Sequence, residues 1–203
     1  MKSHNDFFLT DRSDKNFLNY YWFENGFSEN EIQKIESQIK EDNVELDDGV
    51  IFADKDNLES IHKVRKSKIT WLQEKDEWQW LYDKFIELTG ISNKAMWQSE
   101  LVGMTEKIQY SHYYGDGGHY SWHMDLGNGH AARRKITIVV QLSDPDDYEG
   151  GDLEFMLRAD PTTVPKNKGA VVLFPSWMLH RVTPVTKGLR KSLVAWVSGP
   201  SWK

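Results

Sequence analysis

The 203-residue chain contains no cysteine, which removes disulfides, thiolate nucleophiles and thiolate metal sites together. Any metal ion must therefore be held by histidine and carboxylate. No stretch approaches the ~18 consecutive apolar residues of a membrane-spanning helix, and the opening residues Met1 to Asp6 lack the apolar run of a secretory signal. A soluble cytoplasmic protein without a membrane partner is the expectation. Positive charge is not in excess either: 25 Lys and Arg face 31 Asp and Glu, for a formal net charge of −6. A broad electrostatic grip on nucleic acid is disfavoured. Proline is missing before Pro145, and only three of the fourteen glycines precede residue 100.

What is present divides along the same line. The glycine- and proline-poor first half reads as mainly helical, and the second half as mainly β. With no internal repeat, low-complexity tract or linker, residues 1–203 read as a single domain of α+β, mainly β class. In it an N-terminal helical region, 1–96, braces a β core, 97–203. Ser28 with Glu31 three residues on forms a capping box, and Phe27 and Ile32 are placed as a hydrophobic staple, so a helix starts here with Ile32, Ile35 and Ile39 as its apolar stripe. A second helix is expected from about Trp71 to Leu88, stopped by Gly90. The acidic segment Asp42–Asp56 reads as a mobile loop. From Met96 onward short apolar runs alternate with turn signals: Lys107–Tyr114, Tyr120–Asp125, Ile136–Leu142, Leu153–Leu157, Ala170–Pro175, Leu179–Val185 and Ser192–Ser198. Seven short strands in about 100 residues indicate a sandwich or jelly roll rather than a parallel α/β sheet.

His123 and Asp125 stand two residues apart on one of these strands. Residues i and i+2 of a strand point to the same face ~7 Å apart, so an imidazole and a carboxylate can converge on one ion. His180 lies far enough along for intervening strands to bring it alongside as a third ligand. Two histidines and one carboxylate with open positions form the facial triad of non-haem Fe(II) oxygenases. Arg190, ten residues past His180, is expected on the strand that returns past the metal after a turn at Lys187 and Gly188. Its planar fork suits a remote carboxylate, and Ser192 shares its face as a hydroxyl donor. Gln141 breaks an apolar run and, inside a buried strand, needs a partner. His119 and His130 read as solvent or substrate contacts, His62 and His112 as structural.

Taken in order, Tyr114, Gly117, Tyr120, His123 and Asp125, the Gly150-to-Leu153 turn, Phe174 and Pro175 before His180, then Arg190 and Trp196, make residues 97–203 resemble the Fe(II)/2-oxoglutarate-dependent dioxygenases of the prolyl 4-hydroxylase-like branch. The resemblance implies a double-stranded β-helix. It implies Fe(II) on His123, Asp125 and His180, 2-oxoglutarate with its distal carboxylate on Arg190, O2 as oxidant, and L-ascorbate as an additive that such enzymes accept. Tyr113 or Tyr114 would donate to the co-substrate, with Gln141 and Ser192 as further contacts. Trp196 would line the pocket, and Arg133 and Arg134, on the loop after Asp125, would meet the substrate. The implied reaction hydroxylates a C–H bond and yields succinate and CO2. Collagen-type prolyl hydroxylases usually carry Lys where this chain has Arg190, which turns the reading away from a collagen-like substrate. Three readings stay open: a hydroxylase of a protein or peptide side chain such as proline, a dioxygenase of a free amino acid or other small metabolite, and a non-catalytic metal-binding jelly roll. Residue patterns name neither the substrate nor the oligomeric state.

Overall fold

The computed structural model describes residues 20–49, 58–72 and 75–201. In chain order the elements are β1 (Tyr21–Phe23), α1 (Glu29–Glu41), β2 (Asp47–Asp48), α2 (Leu58–Val64), β3 (Arg65–Lys66), β4 (Lys68–Trp71), α3 (Gln79–Ala95), β5 (Gly103–Met104), β6 (Gln109–Tyr114), β7 (Gly118–His123), β8 (Arg134–Gln141), β9 (Tyr148–Gly150), β10 (Leu153–Phe155), β11 (Thr162–Thr163), β12 (Val171–Pro175) and β13 (His180–Ser198). A major antiparallel sheet runs β1-β12-β8-β13-β6-β4-β2. A minor sheet is built on the first part of β13, which pairs with β7, β9 and β10, while β3 and β11 add to its edges. The result is a double-stranded β-helix.

Alternation along the strands sorts the core. Ile136, Ile138 and Val140 of β8 and Leu193, Ala195 and Val197 of β13 face a cluster that also holds Ile32 and Ile35 of α1 and Leu81, Phe85 and Leu88 of α3. The intervening residues face the space between the sheets, where Tyr113, Val139, Val172, Phe174 and Val182 meet Leu153 and Phe155. The helices therefore cover one face of the major sheet, and the cavity opens on the other.

The first helix forms as its cap signals indicate, with the Ser28 hydroxyl accepting from the Glu31 amide and the Glu31 carboxylate accepting from the Ser28 amide. The second differs. Trp71 ends strand β4, and α3 begins only at Gln79 and continues through Gly90 to Ala95. The β4 ladder to β6 claims Trp71, and Gly90 sits on the exposed side of α3, where its missing side chain removes no packing. The first half is also less helical than composition suggests, because β1 to β4 come from it and complete both sheets. Within the acidic segment Asp42–Asp56, Asp47 and Asp48 pair with Ile69 and Lys68. Residues 50–56 of that segment lie outside the described residues. Among the described residues no helix is long and apolar enough to cross a membrane.

The two runs expected at 179–185 and 192–198 are one continuous strand. Lys187 and Gly188 do not reverse the chain; they stay paired, to Glu149 and Tyr148, while β13 bends from the minor into the major sheet. Gly188 has φ +74, and a Cβ there would lie 2.0 Å from the Asp147 carbonyl oxygen. Gly188→Ala is expected to lower stability by more than about 1 kcal/mol. Gly90→Ala, with nothing within 4 Å of the added methyl, should raise it by about 0.5–1 kcal/mol. Urea denaturation of the two variants beside the parent chain measures both signs.

Candidate metal centre and its cavity

His123 ends β7 and His180 opens β13, and the two are directly paired in the ladder between these strands. Asp125 follows β7, its amide held by the Ser176 carbonyl at 2.9 Å. The three side chains offer ligand atoms all within 4.8 Å of one another. His123 Nε2 stands 3.6 Å from Asp125 Oδ1 and His180 Nε2 3.7 Å from Asp125 Oδ2.

Each imidazole is held in one tautomer. His123 Nδ1 is 2.8 Å from the Ser121 carbonyl and His180 Nδ1 2.9 Å from the Met178 carbonyl. A carbonyl only accepts, so both Nδ1 atoms carry the proton and both Nε2 lone pairs point at the shared centre. The rings are braced by stacking of Tyr120 on His123, centroids 3.5 Å apart, and by the edge-on contact of Phe174 with His180 at 4.7 Å. Burial, and then the neighbouring His123, push the His180 imidazolium down to about 4, so the ring is neutral and able to ligate near pH 7. Burial would raise the Asp125 carboxyl, but His180, His123 and the Trp196 donor outweigh it and hold it well below the usual carboxylate range.

Asp125 is oriented from behind. Its Oδ2 accepts from the Thr137 hydroxyl at 2.9 Å and from the Trp196 indole at 3.0 Å. Trp196 is thus both a wall of the cavity and a donor to a ligand. Arg134 lies over the Trp196 ring at 3.9 Å, donates to the Asp125 carbonyl at 3.1 Å, and is paired with Glu106 through both its Nε and Nη2. Arg134 lines the cavity, as expected of a substrate contact, but its ion pair with Glu106 and its bond to the Asp125 carbonyl also brace the ligand loop. Arg133 is exposed and donates to the Gly199 carbonyl at 3.3 Å.

Deeper in the same cavity, of about 360 Å³, Arg190 is 1% exposed. It donates from Nη2 to Gln141 Oε1 at 2.9 Å, and Ser192 Oγ lies 3.5 Å from Nη1. Its guanidinium sits 5.3 Å from the Tyr113 ring centre. Arg190 Nε and Gln141 Nε2 are buried without partners, and among the described residues no carboxylate pairs with Arg190. Tyr113 lines the cavity. Tyr114, by strand alternation, faces away: it is 41% exposed and its hydroxyl is 3.2 Å from His112 Nδ1. The structure thus brings together His123, Asp125, His180, Arg190, Tyr113, Gln141, Ser192 and Trp196, and leaves Tyr114 and Arg133 outside the group.

Thr137, Glu106 and Arg65 were not legible from spacing. Thr137 sits in an apolar run where a β-branched residue is ordinary, and Glu106 belongs to no regular element. Arg65 reaches the cavity from β3 in the first half of the chain.

A double-stranded β-helix with two histidines and one carboxylate at its mouth, and below them a buried arginine with no carboxylate partner among the described residues, is the arrangement of a mononuclear non-haem metal site with room for an acid beside it. The donor set fits Fe(II): two neutral nitrogens and one anionic oxygen on one side, with the remaining positions facing the cavity. The orphaned Arg190 fits a carboxylate co-substrate such as 2-oxoglutarate. Comparison with known proteins agrees. Residues 108–198 match the model of the 2OG-Fe(II) oxygenase superfamily. A PKHD-type hydroxylase of Teredinibacter turnerae is 42% identical over 89 residues, 41% of this chain and 39% of the relative. One of Polaromonas is 37% identical over 117 residues, 53% and 51% of the two chains. The chain thus spans between about two fifths and one half of the length of these curated relatives. Among solved structures, a Pseudomonas putida prolyl-4-hydroxylase superposes with TM-score 0.69 at 17% identity, covering 92% of this chain and 95% of that one. A Trichoplax adhaerens prolyl hydroxylase, solved with a peptide fragment of the hypoxia inducible factor oxygen degradation domain, gives 0.73 at 17% identity, covering 93% and 86%. Residues 108–198 are thus similar to the 2OG-Fe(II) oxygenase superfamily, and the fold is that of the prolyl hydroxylases.

Trp196→Phe and Thr137→Val each remove one donor to Asp125 with little change of shape. Either is expected to weaken metal binding by 10–100-fold, the usual effect of losing a partner of a ligand. Anaerobic titration with Fe(II) reads the change directly.

Proposed function

We propose that the chain is an Fe(II)- and 2-oxoglutarate-dependent dioxygenase that hydroxylates a C–H bond of a protein or peptide side chain such as proline, releasing succinate and CO2. The observation that carries this reading is the sharing of one cavity by the three-ligand set and by a buried arginine with no acid partner. A structural metal site would have no use for the second feature. The names of the curated relatives support a hydroxylase, and the peptide bound by the Trichoplax adhaerens neighbour supports a peptide substrate. A cytoplasmic setting belongs to the same reading.

Bound together, Fe(II) and 2-oxoglutarate would supply the oxidation, one atom of O2 ending in succinate and the other in the new hydroxyl group. The protein's share is positional. His123 and His180 would hold the metal through Nε2, their Nδ1 protons locked on backbone carbonyls. Asp125 would add the one negative charge, its second oxygen turned toward Thr137 and Trp196. Arg190 would anchor the distal carboxylate through Nε and its fork, with Tyr113 and Ser192 alongside. Val139, Leu153, Val182 and Val194 wall the cavity with apolar surface, which keeps bulk water from the reacting carbon.

Asp125→Ala should abolish 2-oxoglutarate-dependent succinate release, because it removes the anionic ligand. Arg190→Ala should raise the 2-oxoglutarate KM at least a hundredfold while metal affinity stays near that of the parent, since breaking a buried charge pair costs about 3–5 kcal/mol. Arg190→Lys should recover only part of this, an ammonium lacking the planar fork. Succinate quantification with a mass-shift screen of proline-containing peptides and free amino acids tests the whole reading. No succinate from the Fe(II)-loaded parent chain with any of them would refute it.

A further inference from the structure

Three guanidinium groups reach the cavity, and their partners differ. Arg134 is paired with Glu106 and donates to the Asp125 carbonyl, and Arg190 is left open toward the co-substrate position. Arg65 is the third. It lies on β3, directly paired with Tyr120 of β7, and is 5% exposed. Its Nε donates to Ser67 Oγ at 2.8 Å, and its guanidinium carbon stands 4.7 Å from the Tyr120 ring centre. Its Nη2 is buried and has no partner. Among the described residues no carboxylate pairs with it.

The group is also held in place. Gly49 backs it so closely that a Cβ there would lie 2.7 Å from Arg65 Nε and 3.1 Å from its central carbon. Gly49 in turn is fixed by its amide bond to the Ser67 carbonyl at 2.8 Å. The guanidinium is thus confined by the Gly49 backbone, the Ser67 hydroxyl and the Tyr120 ring, and that ring itself stacks on the ligand His123. A cation removed from water without a counter-charge is unfavourable unless something that binds there completes it.

We propose that Arg65 is a carboxylate-binding position for the primary substrate, and hence that this substrate carries a carboxylate in addition to the C–H bond to be oxidised. The proposal rests on the dioxygenase reading, in which Arg190 is occupied by 2-oxoglutarate. A carboxylate fits better than a phosphate, because one planar fork is offered and the neighbouring Arg134 already has its counter-charge in Glu106. Two sources share this chemistry: the carboxylate of a free or C-terminal amino acid, and an acidic side chain next to the target residue of a peptide.

The test uses the full chain loaded anaerobically with Fe(II) and 2-oxoglutarate, and calorimetric titration with two pairs of probes. Each pair differs only in carboxylate against carboxamide: N-acetylproline with N-acetylprolinamide, and an acetylated, amidated prolyl-glutamate dipeptide with its prolyl-glutamine twin. In at least one pair the acid is expected to bind tenfold or more tightly than the amide. That preference should fall below twofold in Arg65→Gln and be partly kept in Arg65→Lys, with 2-oxoglutarate affinity within twofold of the parent in both; the unchanged co-substrate affinity also reports that the variants fold. A preference in the first pair assigns a terminal carboxylate, in the second an acidic side chain. The proposal is overturned if the parent shows no preference in either pair, if the preference survives in Arg65→Gln, or if that variant loses 2-oxoglutarate as Arg190→Ala does. Titration of the parent with Fe(II) and 2-oxoglutarate judges the dioxygenase reading separately. Should neither bind, that reading fails, and the acid preference and its loss in Arg65→Gln are then required of the unloaded chain.

Discussion

The site depends on one folded ladder. Strand β13 pairs with β7 from His180 against His123 to Val185 against Gly118, and then with β6 from Leu189 against Tyr114 to Val194 against Gln109. The two partner strands are consecutive in sequence, so a single long antiparallel ladder passes through both sheets. Run straight, the ten residues from His180 to Arg190 would span about 33 Å, far too much for one small cavity. The ladder instead folds over where residues 115–117 lie against Lys187 and Gly188, with the Gly115 amide bonded to the Gly188 carbonyl and the Gly117 amide to the Val185 carbonyl. A Cβ on Gly115 would meet the Lys187 backbone at 2.6 Å, so the two chains touch at the corner. That corner puts a histidine pair on one leaf and the pair of Arg190 and Tyr113 on the other, both facing inward.

Strand alternation then decides which side chains the cavity receives. On β8 and β13 one parity is apolar and packs under the helices, while the other supplies Thr137, Gln141, Arg190, Ser192 and Trp196. A polar residue of that second parity is buried, and it must find a partner or be left for a ligand. Thr137 and Trp196 find theirs in Asp125. Arg190 finds only part of its complement in Gln141, and its buried Nε is left without a partner.

The same parity explains which parts of the site were legible in the sequence. Arg190 and Ser192 share a face because they are two apart on β13, a relation that needs only local geometry; His123 and Asp125 converge as their spacing indicated, although the strand expected through Asp125 ends at His123 and the Ser176 carbonyl holds Asp125 in place. The capping box of α1 is likewise local. Tyr113 and Tyr114 are adjacent, so one of them had to face away, but choosing between them needs the register of β6 against β13. The turn expected at Lys187 and Gly188 proved to be a bend, because a glycine with positive φ signals a change of direction without saying whether pairing continues through it. Trp71 has the aromatic neighbours of a helix face, yet its ladder with Gln109 takes it into a strand. Arg134, expected on the loop after Asp125, opens β8, and its pairing with Glu106, distant in sequence, was not legible. Arg65 was invisible for the same reason, its meaning lying in contacts with Gly49, Tyr120 and the cavity.

Charge gives these placements a common direction. The chain as a whole is net negative, with formal charge −6, whereas the cavity holds Arg190 and Arg65 with no acid partner among the described residues and the single carboxylate Asp125 turned toward the metal position. A compact acid presents its charge only once it is inside, where water is scarce and a fixed guanidinium interacts far more strongly than at the surface. The sign of the cavity, two guanidiniums against the one carboxylate of Asp125, therefore suits a compact acid. The uncompensated cations also couple occupancy to folding, because whatever neutralises them in the native state has no equivalent site in the unfolded chain and stabilises the native form by mass action.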